Sequence, residues 1–265
     1  MSSVRSPLGA VIDEYLALKR ALGRKFVDEG YVLASLDRFL IGRGADRAML
    51  TPESFAAWCL TLAHLSPTTR RKRMRMVHNL CLYRRRTDPD CFVPDPSTFP
   101  RRQAPRRPHI FSEDELLRLL RAAGELRPRS NSPLCGPVCR LAIVLLYTAG
   151  LRRGELARLV LSNYDPVERT LLNRASKFHK SRLVALSPDA VREMEAYLLA
   201  RRRFPHGADS PLLVWSLRGL RARAGSGLGW SLRQLTRRAG IRTASGRPPR
   251  VHDLRHTHAI HVLQR

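Results

Sequence analysis

Acidic residues are scarce in this 265-residue chain. Lysine and arginine together number 48 while aspartate and glutamate number 22, so the formal net charge at pH 7 is +26. Such a surplus repels itself in a folded protein, and a polyanion is the partner that best relieves the repulsion. Nucleic acid is therefore the first class of partner that the composition suggests, and an anionic membrane surface is the second.

Long apolar runs and paired cysteines are lacking as well. No stretch of about 18 apolar residues is present, so we expect no transmembrane helix. The segment Met1–Lys19 contains Asp13 and Glu14 and has no continuous apolar core, so a secretory signal is not expected either. The five cysteines show no C-x-x-C spacing, which favours reduced thiols in a cytoplasmic protein.

The first part of the chain, residues 1–90, shows helical patterns. Apolar residues recur at helical spacing over Ala10–Ala21 and Val27–Ile41. Thr51 and Ser66 each precede a proline, which is typical of a helix N-cap followed by proline at the first helical position. We therefore predict a compact bundle of four short helices in this region.

The fourth predicted helix, Ser66–Arg86, carries eight basic residues and no acidic one. Ordinary exposed helices interleave both signs, so a plain solvated face does not account for this pattern. We predict that this helix binds nucleic acid. The residues that we assign to the contact are Arg70, Arg71, Lys72, Arg73 and Arg75.

Prolines and arginines dominate residues 87–108, where six prolines stand among four arginines. A proline-dense stretch continues neither a helix nor a central strand, so we predict an extended basic linker there. A second domain over 109–265 then begins with a capping box at Ser112.

The second domain combines helical patterns with short strands. Leu141–Tyr147 is an almost entirely apolar run that predicts a buried helix, and Thr170–Asn173 and Arg182–Leu186 are short strand-like pieces separated by polar turns. The predicted fold class is therefore mainly α with a small β-sheet, that is, α+β.

Three segments of this domain point to chemistry. The first, LLYTAGLRRGELARL, places Arg152 directly after a glycine turn at a helix start, with Glu155 one turn later. An arginine there can donate two parallel hydrogen bonds to a phosphate, and the helix N-terminus adds positive potential. The residues alone equally allow a surface arginine that simply pairs with Glu155.

The second segment, SKFHKSRLVALS, contains two of the five lysines of the chain, Lys177 and Lys180, in a predicted turn between two strands. A lysine can donate a proton to a departing oxygen, whereas the pKa of arginine is too high for that role. By itself, this segment is better interpreted as a solvated turn.

The third segment, VHDLRHTHAIHVLQ, places His252 and Arg255 three residues apart, on one face of a predicted helix. His252 and His256 have the spacing of a zinc-binding helix. A third ligand and a catalytic carboxylate are not apparent, because Asp253 lies elsewhere on the helix. We therefore predict no metal site.

In this order and at these separations, the three segments resemble the tyrosine recombinase (phage integrase) family. The shared patterns are T-x-G-L-R-x-x-E-L, a turn lysine before R-L-V-x-L, and H-x-L-R-H-[TS]-x-A. The resemblance extends from about Phe111 to the end of the sequence, and the helical N-terminal part resembles the core-binding domain of that family in architecture.

The resemblance implies a protein of site-specific DNA recombination, integration or transposition. Family members cleave and rejoin strands through a 3′-phosphotyrosyl intermediate, without a metal or any other cofactor. Double-stranded DNA is the implied partner, with homo-oligomers on DNA up to a synaptic tetramer. The implied location is cytoplasmic and nucleoid-associated, without a membrane partner.

The resemblance also implies a role for each candidate residue. Arg152 and Arg255 would bind the non-bridging oxygens of the scissile phosphate. His252 would assist proton transfer or hold the phosphate, and Glu155 would orient the arginine without acting as an acid.

The turn lysines complete the implied set. Lys177 would be the general acid toward the leaving 5′ oxygen, with Lys180 as the alternative assignment and otherwise as a DNA contact. Together with Lys177, the catalytic residues implied by the resemblance are Arg152, His252 and Arg255.

The nucleophile of the family has no counterpart at the expected position. Family members continue past the H-x-L-R-H segment to an LGH-type box and the nucleophilic tyrosine, but all six tyrosines of this chain precede His252. We therefore expect a C-terminally truncated copy of an integrase that does not cleave DNA alone, because no covalent intermediate forms without a nucleophile.

Three alternatives remain open at this point. A partner chain could supply the tyrosine in trans. The chain could instead be a DNA-binding protein without chemistry, which occupies a recombination site. An RNA-associated basic protein would account for the charge but not for the three ordered segments.

Overall fold

The computed structural model describes residues 6–44, 49–174, 181–204, 209–214 and 225–264. The chain divides into two compact units, Met1–Pro105 and Arg106–Arg265. Each unit has a hydrophobic core of its own. The division lies within the segment 87–108 that the sequence predicts as a linker.

The described part of the first unit is helical. Its helices are α1 (Pro7–Ala21), α2 (Val27–Ile41), α3 (Pro52–Thr61) and α4 (Pro67–Arg84). Thr51 and Ser66 cap α3 and α4, each with a side-chain oxygen that accepts a backbone N–H, as their sequence pattern predicts. The side chains of Leu33 and Leu36 on α2 and Val77 on α4 are completely buried.

Part of the predicted linker packs within the first unit. Phe99 is 3% exposed and belongs to the first core. The Arg71 guanidinium of α4 donates hydrogen bonds to the carbonyl oxygens of Phe99 and Pro100, at 3.3 and 3.1 Å. Burying a phenylalanine side chain contributes about 1.5–3 kcal/mol, which favours this packing over an extended, solvated segment.

The second unit combines helices with a three-stranded antiparallel sheet. Its described helices are α5 (Glu113–Gly124), α6 (Cys135–Thr148), α7 (Arg153–Leu156), α8 (Pro188–Arg201), α9 (Gly225–Arg238) and α10 (Val251–Leu263). The strands, in sheet order, are β1 (Tyr164–Asp165), β2 (Thr170–Asn173) and β3 (Arg182–Ala185). This architecture confirms the α+β prediction.

Helix α6 lies at the centre of the second core. It packs against α5, α8 and α10, and its run Leu141–Leu146 is buried throughout. A helix that is apolar on all sides has to be covered on all sides, which explains its central position. In the part of the chain that the structure describes, no helix has both the length and the apolar character needed to cross a membrane.

Helix α10 is held in place by the hydroxyl group of Thr257, which is completely buried. This hydroxyl donates to the Asp253 carbonyl oxygen at 2.9 Å and accepts the backbone N–H of Phe111 at 3.0 Å. Phe111 stands at the beginning of the second unit, 146 positions earlier in the chain. The bond therefore fixes the position of the helix that carries His252 and Arg255.

The substitution Thr257→Val tests this contact. We expect it to lower the free energy of unfolding by about 1–3 kcal/mol, because it leaves the Phe111 N–H buried without an acceptor. The matched control is Thr236→Val, since Thr236 is also buried on a helix but donates to the Arg233 carbonyl of its own helix. Urea unfolding measures both, and equal losses in the two variants would contradict the role of Thr257.

Candidate active site

Arg152 lies at a sharp break between two helices. Helix α6 ends at Thr148, Gly150 adopts a left-handed φ of 55°, and Arg152 is the extended N-cap of α7. The helical spacing of the sequence continues to Leu159, whereas α7 is a single turn that ends at Leu156. A helix this short adds little dipole potential, so charged side chains dominate the electrostatics of the site.

The carboxylate of Glu155 is the centre of the site, and the residue is only 3% exposed. Its Oε2 atom accepts the backbone N–H of Arg152 at 2.8 Å, and its Oε1 atom accepts Nη1 of Arg152 at 2.6 Å. Nη2 of Arg182 lies 3.3 Å from Oε2, and Nη1 of Arg255 lies 4.0 Å from the same oxygen. Three guanidinium groups from three elements therefore surround one carboxylate.

This arrangement keeps Glu155 ionised. Burial raises the pKa of the carboxyl group, but the hydrogen bonds from Arg152 and the positive charges of Arg182 and Arg152 outweigh burial, so the pKa lies below its ordinary value. Three guanidinium charges against one carboxylate leave a local surplus of two positive charges. The group is therefore suited to an anion.

Arg255 connects this group to the glycine turn. Its pKa is lowered by burial and by the charges of Arg152 and Arg182, while Glu155 raises it. Its Nη1 atom donates a hydrogen bond to the Gly150 carbonyl oxygen. The side chain remains 26% exposed, so the guanidinium is accessible despite this anchoring.

His252 lines a cleft of about 450 Å³ together with Arg152. The described residues that line this cleft include four arginines and no carboxylate; the arginines are Arg152, Arg153, Arg233 and Arg250. Burial, followed by the charges of His256 and Arg255, lowers the pKa of His252. We therefore expect its imidazole to be mostly neutral at pH 7, able to donate or accept a proton.

Two predicted site residues, Lys177 and Lys180, lie outside the described residues. The His252 and His256 rings contact each other at 4.8 Å between centroids, and the described ranges contain no group of three potential metal ligands.

Apart from Lys180, the predicted DNA-binding residues lie on α4 in the first unit. Nζ of Lys72 pairs with the exposed Asp28 carboxylate at 3.0 Å, and Arg71 holds the chain at Phe99 and Pro100. Arg75 is exposed, whereas Arg70 and Arg73 are half-buried.

Arg182 is not among the residues that the sequence patterns single out. It stands in the R-L-V-x-L pattern directly after the turn lysines, but arginine is so frequent in this chain that one more attracts no attention. The antiparallel register, which pairs Arg182 with Asn173, indicates its place at the start of β3. Its contact with Glu155 becomes visible only in three dimensions.

Comparison with known proteins decides the family. Residues 110–265 match the family model described as the phage integrase family. The protein y4rB of Sinorhizobium fredii, named as an integrase/recombinase, is 31% identical over 257 residues, which cover 96% of this chain and 81% of the relative. The chain belongs to the phage integrase family, the tyrosine recombinases. A second Sinorhizobium fredii relative, y4rE, is named in the same way. It is 32% identical over 259 residues, which cover 96% of this recombinase and 79% of the relative.

Solved structures of tyrosine recombinases share the fold. A lambda integrase dimer bound to a COC′ core site superposes with a TM-score of 0.64 at 18% identity, covering 97% of this chain and 89% of that one. The Tn1549 transposon integrase, in complex with transposon right-end DNA, gives a TM-score of 0.63 at 15% identity, with 96% and 86% covered. At sequence identities of 18% and 15%, these matches show a shared fold and nothing more.

The turn at Gly150 predicts a large effect of Gly150→Ala on the stability of this recombinase. A left-handed residue other than glycine costs about 1–2 kcal/mol, and a Cβ at this position would lie 2.5 Å from Cδ2 of His258. The matched control is Gly246→Ala, because Gly246 is also left-handed, at a φ of 74°, but has open space around it.

We expect Gly246→Ala to lose about 1 kcal/mol and Gly150→Ala about 3 kcal/mol of unfolding free energy, since only the latter adds a steric clash to the strained backbone. Chemical unfolding of both variants provides the comparison. Equal losses would mean that His258 does not constrain the turn.

Proposed function

We propose that this chain is a DNA-binding recombinase component that grips a scissile phosphodiester of duplex DNA. The observation that carries the proposal is the convergence of Arg152, Arg182 and Arg255 on the buried Glu155, in a unit that belongs to the tyrosine recombinases. We propose that the chain acts on DNA in the cytoplasm, within the nucleoid.

The arginine group would act on the phosphate. Arg152 and Arg255 donate hydrogen bonds to the two non-bridging oxygens, where negative charge accumulates as the phosphorus becomes five-coordinate. Because Glu155 and Gly150 already hold these guanidinium groups, little reorganisation is needed when the charge develops. The surplus of two positive charges matches the two negative charges that the phosphodiester carries in its five-coordinate state.

Proton transfer completes the proposed mechanism. His252, with its lowered pKa and its position beside Arg152 in the cleft, holds the phosphate or relays a proton. We assign Lys177 as the general acid that protonates the leaving 5′ oxygen, with Lys180 as the alternative.

Duplex binding is assigned to α4 of the first unit. Arg70, Arg73 and Arg75 are the side chains that we expect to contact phosphates, with smaller contributions from Arg71 and Lys72, which have partners within the unit. Fold neighbours support the choice of partner, because they include a lambda integrase dimer on a core site and a tetramer on a Holliday junction. We propose that this chain also assembles as a homo-oligomer on DNA.

The tyrosines favour a second candidate function, in which these 265 residues bind a recombination site without cleaving it. The Tyr147 hydroxyl bonds Nδ1 of His261 at 2.9 Å. The Tyr197 hydroxyl donates to the Leu212 carbonyl at 2.6 Å, and burial raises the pKa of Tyr197 to about 12. The Tyr164 hydroxyl is buried. None of these three groups is presented as a nucleophile.

A covalent-trapping assay tests the nucleophile. The chain first selects its preferred duplex from a random library, and a nicked version of that duplex then traps any phosphotyrosyl bond. We expect no covalent protein–DNA product from the 265 residues. A trapped product would contradict this expectation, and its loss in Tyr147→Phe would identify the residue responsible.

A complementation assay separates catalysis from binding. The chain is mixed with y4rB in which the counterpart of Arg152 has been replaced, so that y4rB supplies only the tyrosine. We expect strand exchange in this mixture, and a loss of at least about 100-fold with Arg152→Ala, because a donor to the developing charge is removed.

The matched control for that assay is Arg192→Ala, which removes the same charge from the surface of α8, where Arg192 pairs with the exposed Asp189. It should leave strand exchange unchanged. If no mixture exchanges strands while every variant binds the duplex, binding alone is the function of the chain.

A further inference from the structure

Arg182 is the member of the arginine group to which the proposed mechanism assigns no task. Its side chain is 41% exposed, as much as that of Arg152. It is the first residue of β3, so it approaches Glu155 from the sheet, whereas Arg152 and Arg255 come from the start of α7 and from α10. The contact therefore links the sheet to the two helices that carry the predicted catalytic arginines.

The contact with Arg182 differs from the other two in geometry. Arg152 occupies Oε1 with its guanidinium, and Arg255 is too far from Oε2 for a hydrogen bond, at 4.0 Å. Among the described residues, Arg182 is the side chain that donates to Oε2, at 3.3 Å. Without it, one side of the carboxylate keeps only the Arg152 backbone N–H.

The charge of Arg182 also bears on the ionisation of Glu155. Burial raises the pKa of this carboxyl group, and Arg182 is one of the groups that lower it below its ordinary value. Removing Arg182 should therefore raise the pKa of Glu155, and the carboxylate would be lost at a higher pH as the solution is acidified. A protonated Glu155 holds Arg152 less firmly, because a charge-assisted bond becomes a neutral one.

We propose that Arg182 is a positioning residue, which fixes the Glu155 carboxylate so that Arg152 and Arg255 point at one anion. The inference rests on the proposed function, in which that anion is the scissile phosphate. It adds a part of the site that comes from the sheet and that acts through Glu155, without touching the phosphate itself.

The test is a titration with inorganic sulfate between about pH 3 and pH 8, a range in which sulfate stays mostly a dianion, so that the pH profile reports the protein and includes the acid limb of Glu155. Other arginines of this basic chain also bind sulfate, and binding is therefore followed locally, at the side-chain Nε–H resonance of Arg255 in ¹⁵N NMR spectra. The variants are Arg182→Ala, Arg182→Gln and Arg182→Lys, with Arg152→Ala and the surface variant Arg192→Ala as references.

We expect Arg182→Ala and Arg182→Gln to weaken local sulfate binding about tenfold at pH 7, because the less firmly positioned Arg152 and Arg255 lose about one charge-assisted hydrogen bond to the anion. The pH at which binding is lost on acidification should rise in both. Arg182→Lys, which keeps the charge, should restore most of the affinity, and Arg192→Ala should match the wild type. The Gln variant keeps more of the side chain, up to a polar group at Cδ, and provides the answer if the Ala variant does not fold.

The outcomes separate this inference from the proposed function. If Arg152→Ala leaves the sulfate response of Arg255 unchanged, the anion site and the proposed function both fail. If Arg152→Ala abolishes the response while the Arg182 variants behave as the wild type, only the role of Arg182 is overturned. Weaker binding without any shift of the acid limb would indicate that Arg182 touches the anion directly, and would also overturn the positioning role.

Discussion

One buried carboxylate organises the arginine group of the second unit. A charge that is 3% exposed is unfavourable unless it is paired and hydrogen-bonded, and Glu155 receives both from Arg152 and Arg182. The same contacts hold the guanidinium groups, which would otherwise repel each other. The carboxylate thus makes a cluster of like charges possible, and the remaining surplus of two positive charges can act on an anion.

The fold brings these groups together from distant parts of the chain. The apolar α6 has to be buried, and α10 packs against it. The left-handed turn at Gly150 then follows directly on α6, beside His258 of α10. The Thr257 hydroxyl fixes α10 to Phe111, and the Arg255 side chain reaches back to the Gly150 carbonyl. Hydrophobic packing therefore sets the coarse position of the site, and a few hydrogen bonds set its details.

Local signals explain what could be predicted from the sequence. The N-caps Thr51, Ser66 and Ser112 each begin a helix as predicted, because their hydrogen bonds lie within one turn. Contacts between side chains that lie far apart in the sequence could not be predicted in this way. Phe99 packs into a core that its proline-rich neighbourhood does not suggest, and Arg182 reaches Glu155 through a strand register that no local pattern specifies. The motifs singled out Arg152, Glu155 and Arg255, which the structure brings together, but they did not indicate that the carboxylate is the centre of the group.

The two units use the positive charge of the chain in different ways. On α4, Arg75 is exposed and Lys72 pairs with an exposed aspartate, so these charges are screened by salt and suit a long-range attraction to a polyanion. Around Glu155 the guanidinium groups are partly buried and held at defined distances, and salt screens such pairs much less. Attraction to DNA and action on one phosphate place opposite demands on arginine, and under the proposed function the two tasks fall to separate sets of residues.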